Sequence, residues 1–332
     1  MSAVGTQLYA EDMADEPNLK RGSNPQLVLG VACLLAMAAV VCGQTPEEVA
    51  DTAIFIYAAT DQPCAAPSTA GVRPPIALGT GFVVFLPAGK KNPAGRDIGI
   101  RFLITAGHVI DGRSSVIFRV NRSDKKGYAC QTANLAREGA VPNRTVYQLK
   151  NQPQVDIAAI RMRDIPDADP TLLTYSMILD KTKLREQQVH VGTEVFTVGY
   201  MFGYGGLNLN YPITRFGKVA LITEEPWLQP DPRTGKTVME EGYVVELQNV
   251  PGLSGAPVML SSPQWSVDSQ SGAIRVRAVP PYLIGVIKDL LSSPAGGSQG
   301  VAVIETGDRV RELLRVIADD YRLAGAPVVL DP

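Results

Sequence analysis

From residue 50 onward the apolar positions fall into short runs. They are TAIFIYAA (52–59), GTGFVVFLP (79–87), RFLITAGHVI (101–110), SSVIFRVN (114–121), VDIAAIRM (155–162), TEVFTVGY (193–200), KVALIT (218–223), GYVVELQNV (242–250), GAPVML (255–260), YLIGVIKD (282–289) and GVAVIE (300–305). Gly, Pro, Asn or Asp punctuates most of the gaps, and there is little 3.6-residue periodicity between the runs. This pattern predicts many short strands joined by turns, an all-β barrel or sandwich. A helical pattern returns only in GDRVRELLRVIADDYRL (307–323), where Val310, Leu313, Leu314 and Ile317 recur at helical spacing with charges between them. Residues 121–153 and 162–188 are polar and irregular and read as long surface loops. No internal repeat stands out.

Composition narrows the picture. The 332 residues are 45% hydrophobic and 19% charged, an ordinary globular balance with length enough for a substantial core. Lys plus Arg (31) nearly equals Asp plus Glu (33), and no basic block occurs, so charge offers no case for nucleic acid. Lys20 and Arg21 precede the uncharged stretch LVLGVACLLAMAAVVCG (27–43). A basic flank, an apolar core and small residues at the end describe a secretory signal cut before Gln44, with Val41 and Gly43 at the recognition positions. The stretch is slightly short of the roughly 20 residues of a membrane span, so a retained anchor is the alternative, and a buried helix the third. Residues 1–44 are therefore expected to be a leader or anchor, and the remainder extracytoplasmic, whether periplasmic or secreted.

Four cysteines are present, two of them, Cys33 and Cys42, in the leader. Cys64 and Cys130 remain. One disulfide between them is permitted in an oxidising compartment, and two buried thiols are equally consistent with the sequence. With two widely spaced histidines and no cysteine cluster, neither a metal site nor an organic cofactor is expected.

Three short segments carry candidate chemistry. His108, one of only two histidines, follows an apolar run and a small-residue turn in ITAGHVI. Ser254 lies in PGLSGAP (251–257), framed by Gly252 and Gly255. A serine hydroxyl is a poor nucleophile unless a base takes its proton. Flanking glycines permit a tight turn that exposes the hydroxyl and frees amide N–H groups for a developing oxyanion. Asp156 opens the apolar strand QVDIAAIRM (154–162), where a carboxylate needs a partner. An imidazole would supply that partner, and the carboxylate would fix its tautomer and orientation.

His108, Asp156 and Ser254 occur in that order, each at the edge of an apolar strand. TAGHV, DIAAI and GLSGAPV resemble the histidine, aspartate and serine motifs of the trypsin-like (chymotrypsin-fold) serine proteases. VGTEVFTVGYMFGYGG with ITRFGKVALI, and LIGVIKDLLSSPAGGSQGVAVIETGDRVREL, resemble the HtrA-type branch. The resemblance covers about residues 50–320 and is densest from 191. It implies an all-β fold of two six-stranded antiparallel β-barrels with a C-terminal α-helix. The protease domain would span 45–325, with a first barrel at about 50–165, a second at about 190–306 and the helix at about 307–323. It also implies a serine endopeptidase: Ser254 as nucleophile, His108 as general base, Asp156 orienting the imidazole, and the amides of Gly252 and Ser254 as oxyanion hole. Gln248, Ile287, Lys288 and Asp289 would line the primary pocket, with small or aliphatic side chains preferred and protein or peptide substrates as the partners.

The departures carry their own expectations. Leu253 stands where digestive relatives carry an Asp that pairs with a newly cut N-terminus, so activation by that ion pair is not expected. The chain stops at Pro332, so a branch member without a PDZ domain is expected. The rival function is a protease-fold protein that captures peptides with little or no turnover. An esterase elbow is disfavoured, because Ala256 replaces the second glycine of Gly-x-Ser-x-Gly and no helix pattern follows. His190, the Gly-rich FGYGGLN (202–208) and the pairs Glu224-Glu225 and Glu240-Glu241 all read as surface features.

Overall fold

The computed structural model describes residues 49–330, apart from 51, 60–75, 140, 142, 150, 151, 153, 166, 169–172, 203–205, 207, 231–236, 249, 262–263, 268–273, 278–279, 293–297 and 327. The expected leader, with its cleavage position, lies outside the described residues.

Eight strands form the first unit: β1 (Ile54–Ala58), β2 (Ala77–Lys91), β3 (Asp97–Thr105), β4 (Ser115–Asn121), β5 (Tyr128–Asn134), β6 (Val146–Tyr147), β7 (Ala158–Arg161) and β8 (Leu173–Thr174). Their order is β5-β4-β1-β2-β3-β7-β6, antiparallel throughout, with β8 added parallel to β2. The long β2 pairs with β1 through its first half and with β3 through its second, and so turns a corner. Alternation then divides its side chains between two cores. Val83 packs with Ile54, Ile56, Leu103 and Phe118 inside the curl, while Phe82, Val84 and Leu86 face outward to a second apolar layer.

The second unit carries β9 (Glu194–Gly199), β10 (Ile213–Ile222), β11 (Trp227–Pro230), β12 (Thr237–Glu240), β13 (Tyr243–Leu247), β14 (Pro257–Leu260), β15 (Gln264–Val267), β16 (Ile274–Arg277), β17 (Leu283–Ser292) and β18 (Ser298–Thr306). Six of these close a barrel in the order β10-β13-β18-β17-β14-β9, and β11-β12 and β15-β16 form separate hairpins. Val195, Val219, Val245, Leu247, Val258, Ile284, Ile287 and Ile304 fill its interior. Between Ile287 and Asp289 the β17–β18 ladder slips by one residue, leaving Lys288 on a bulge.

Two helices complete the described structure: α1 (Lys181–Glu186) and the C-terminal α2 (Gly307–Leu323). Val310, Leu313, Leu314, Ile317 and Tyr321 of α2 enter the apolar layer shared with Phe82, Phe102, Phe196, Met259 and Leu283. Buried Arg311 caps this contact: its guanidinium donates to the carbonyls of Tyr175 and Ile178 and lies 3.9 Å over the Tyr175 ring.

The architecture is chymotrypsin-like, and the two units differ in how they close. In place of a first six-stranded barrel there is a curled sheet whose ladder ends at β5 and β6 among the described residues. Thr145 bridges those ends. Its N–H and that of Val146 donate to the Ala136 carbonyl at 2.9 and 3.0 Å, its hydroxyl donates to the Asn134 carbonyl at 2.6 Å, and the Ala136 N–H donates back to that hydroxyl. The stretch expected as loop from 121 to 153 thus contains β5, β6 and this closure. Strand β5 (YACQTAN) is mostly half-exposed, so it lacks the apolar run that marks the other strands.

Candidate active site

The end of β3 presents His108. Thr105 is the last strand residue, and a 3-10 turn, Gly107–Val109, follows, pinned by buried Ala106, Val109 and Ile110. Pairing of Thr105 with Ala158 of β7 sets Asp156, two residues earlier, beside that turn. Both oxygens of the carboxylate go to His108. Oδ1 accepts its backbone N–H at 2.8 Å, and Oδ2 lies 2.6 Å from Nδ1. A carboxylate on Nδ1 requires the proton there, which leaves Nε2 as an acceptor. Gly107 is required by this arrangement: a Cβ there would stand 2.9 Å from Asp156 Oδ1.

Ser254 sits in the turn between β13 and β14. Leu253, beside it, is fully buried in the barrel interior and anchors the turn; it has no ion pair to make. Gly252 and Gly255 adopt φ of +108° and +85°, backbone that side chains rarely accept. The turn is tied across to β2: the Thr80 N–H donates to the Ser254 carbonyl at 2.9 Å and the Thr80 hydroxyl to the Gly252 carbonyl at 2.7 Å. That hydroxyl also accepts the Tyr200 N–H, and the Thr80 carbonyl accepts the Thr105 hydroxyl. Buried Thr80 therefore joins the serine turn to the end of β3, from which the chain turns into His108.

Within the turn, the N–H groups of Leu253, Gly255 and Ala256 donate to the carbonyls of Val250, Ile287 and Leu253. Those of Gly252 and Ser254 have no acceptor among the described residues. The Pro251 carbonyl is held by the Phe202 N–H at 3.0 Å, so a planar trans peptide aims the Gly252 N–H away from Phe202. No hydrogen bond joins the Ser254 hydroxyl to His108 among the described residues.

Behind Asp156 lies a set of charges. Its N–H donates to Glu305 Oε1 at 2.7 Å, and Glu305, at the end of β18, is 2% exposed. The Lys288 ammonium lies 3.2 Å from that oxygen, 2.5 Å from Glu240 Oε1, and donates to the Gln154 carbonyl at 2.9 Å. Burial alone would raise the Asp156 carboxyl; the bond from His108, the His108 charge and backbone N–H, and Lys288 outweigh it and hold the group below the ordinary carboxylate range. Burial opposes the charge on Lys288, but its two carboxylates prevail and raise it. Burial pushes Glu305 up despite Lys288. Glu240 was expected on a solvated surface; it is buried, because Lys288 reaches it from the bulge.

The expected pocket residues divide. Ile287 is buried, and its backbone joins the serine turn by two bonds, accepting from Gly255 and donating to Ala256. Gln248 is exposed and accepts from Arg215 at 3.2 Å. Lys288 commits its ammonium to Glu240 and Glu305, and half-exposed Asp289 is itself engaged. Cys130 is disulfide-bonded, while Cys64 lies outside the described residues. His190 is exposed and its ring bonds the neighbouring Val191 carbonyl. Among the described residues no cluster of His, Cys, Asp or Glu could hold a metal ion, and no helix is long and apolar enough to cross a membrane. Sequence reading missed Thr80, Glu305 and Lys288 as site supports; the only signal was glycine on both sides of Thr80.

The fold and this juxtaposition define a protein of the chymotrypsin-like protease fold. No family model matches the chain, and no curated protein does. Among solved structures it is similar to the MamO protease domain from Magnetospirillum magneticum (TM-score 0.43, 13% identity, 78% of this chain and 95% of that one). It is also similar to the HtrA-type protease AlgW with decapeptide (TM-score 0.43, 15% identity, 82% of this chain and 66% of that one). Both likenesses are remote.

Proposed function

We propose that this chain is a serine endopeptidase acting through Ser254, His108 and Asp156. The observation that carries the reading is the double hold of Asp156 on His108, beside a glycine-framed serine tied to the same sheet through Thr80. Ser254 attacks a peptide carbonyl while His108 Nε2 takes its proton. Asp156 stabilises the imidazolium, and the N–H groups of Gly252 and Ser254 receive the oxyanion. His108 then protonates the leaving amine, and water releases the acyl-enzyme with His108 again as base. Removing one oxyanion donor from enzymes of this kind costs about 3 kcal/mol of transition-state stabilisation. An extended peptide would add as a strand, with Ile287 and Gln248 near the side-chain pocket and small or aliphatic residues preferred. Work outside the cytoplasm, secreted or tethered through residues 27–43, fits the leader pattern and the disulfide at Cys130.

One observation favours a second reading, peptide capture without turnover: Ser254 makes no hydrogen bond to His108 among the described residues. Such bonds often tighten only when substrate binds. Fluorophosphonate labelling of the full chain separates the two. Labelling is expected for the wild type and for His190→Ala, and not for Ser254→Ala or His108→Ala. A folded wild type that stays unlabelled favours capture.

A further inference from the structure

Asp156 comes from the first sheet and Ser254 from the second barrel, so something must hold the aspartate segment in register with the barrel. We propose that Glu305, backed by Lys288, is a positioning residue that docks this segment onto the barrel and thereby sets the aim of the Asp156 carboxylate on His108. The inference rests on the triad reading above.

Four contacts carry it. The Glu305 carboxylate accepts the Asp156 N–H at 2.7 Å, across 149 residues of sequence. Lys288 donates to the Gln154 carbonyl, two residues before Asp156, at 2.9 Å, so the segment is gripped by one donor and one acceptor from neighbouring strands of the same barrel. Lys288 reaches it because the β17–β18 ladder slips at that residue, and a bulge re-aims a side chain. Lys288 lies between Glu240 and Glu305, with its side chain 13% exposed and theirs 8% and 3%. Lys288 holds both buried carboxylates in place, because without it each would be left buried without its cation.

The grip matters through geometry. The bond to Glu305 fixes the peptide plane leading into Asp156, and the carboxylate then has two bonds to satisfy on one residue. A misplacement of about 1 Å at such a site costs on the order of a hundredfold in rate.

The test uses Glu305→Leu, which removes the acceptor, and Glu305→Gln, which keeps an acceptor oxygen without the charge. Two readouts are followed on the full chain: the rate of fluorophosphonate labelling, and the low-field proton NMR signal of the His108 Nδ1–H, assigned with His190→Ala. The second does not depend on turnover. Glu305→Leu is expected to label about 10- to 100-fold more slowly and to lose or broaden the signal, while Glu305→Gln restores both. Lys288→Met moves both readouts in the same direction, and serves if Glu305→Leu does not fold. Wild-type values of both readouts in folded Glu305→Leu, or equal loss in Gln and Leu variants, overturn the proposal. Absence of labelling in the wild type removes the protease reading alone; the NMR signal still decides the role of Glu305.

Discussion

Asp156 spends both carboxylate oxygens on His108, one on the backbone N–H and one on Nδ1. A single side chain thus fixes the position of the turn and the tautomer of the ring. Asp156→Asn can keep one bond but would present an amide N–H to one of two donors, favouring the wrong tautomer. Labelling of Ser254 by a fluorophosphonate is expected to slow by about a thousandfold or more, on the scale seen when this aspartate is amidated in related chemistry. Near-normal labelling would show that Asp156 does not orient the base.

The same carboxylate makes stability depend on pH with a defined sign. Burial works to raise it, and the His108 contacts with Lys288 more than offset that, so its folded value is depressed. A depressed acid adds stability above its unfolded value, about 3.9, and loses it as pH falls through the folded value. The stability difference between wild type and Asp156→Asn, measured by urea unfolding, is therefore expected to shrink as pH falls below about 4. A difference that widens on acidification contradicts this.

Thr80 joins the serine turn to the rest of the fold through one hydroxyl that donates to Gly252 and accepts from Tyr200. Thr80→Val keeps the shape and strands both partners in a fully buried site. A loss of about 1–3 kcal/mol is expected for such an orphaned group, with slower labelling at Ser254 because the turn loses its tether. Unchanged urea midpoint and labelling rate would remove Thr80 from the site.

Gly255 is crowded by backbone. A Cβ there would overlap the Thr80 carbonyl and the Thr105 hydroxyl, at φ +85°. Gly95 has a similar φ of +75° and nothing within 4 Å. Gly95→Ala should cost only the backbone strain, of order 1–3 kcal/mol at most. Gly255→Ala should cost clearly more and abolish labelling. Comparing the melting temperatures of the two variants isolates the clash, and equal values would mean the serine turn can move away from β2.

The β-rich class and the helix Gly307–Leu323 were legible because each follows from local periodicity. The closed barrel from Glu194 to Thr306 was expected only from the family resemblance, since closure pairs strands far apart in sequence, such as β9 with β14. His108, Asp156 and Ser254 were legible because each sits where an apolar strand meets a turn. Strands β5 and β6 were not, since a half-exposed YACQTAN and a two-residue strand leave no apolar run to read. Glu240 was misread for a related reason: adjacent glutamates look solvated until a lysine is found within reach, and Lys288 is 48 residues away.

The sequence by itself determined the strands that carry an apolar run, which glycines free the turn at Ser254, and which three residues could form a triad, because these depend on neighbours within a few positions. Only the tertiary structure decided that Asp156 meets His108 with both oxygens, that Thr80 ties the serine turn to β2, and that Glu305 and Lys288 grip the aspartate segment. Those contacts join residues from 48 positions apart (His108 and Asp156) to 172 (Thr80 and Gly252). Their energies come from burial and from hydrogen-bond geometry, which exist only once the chain has folded.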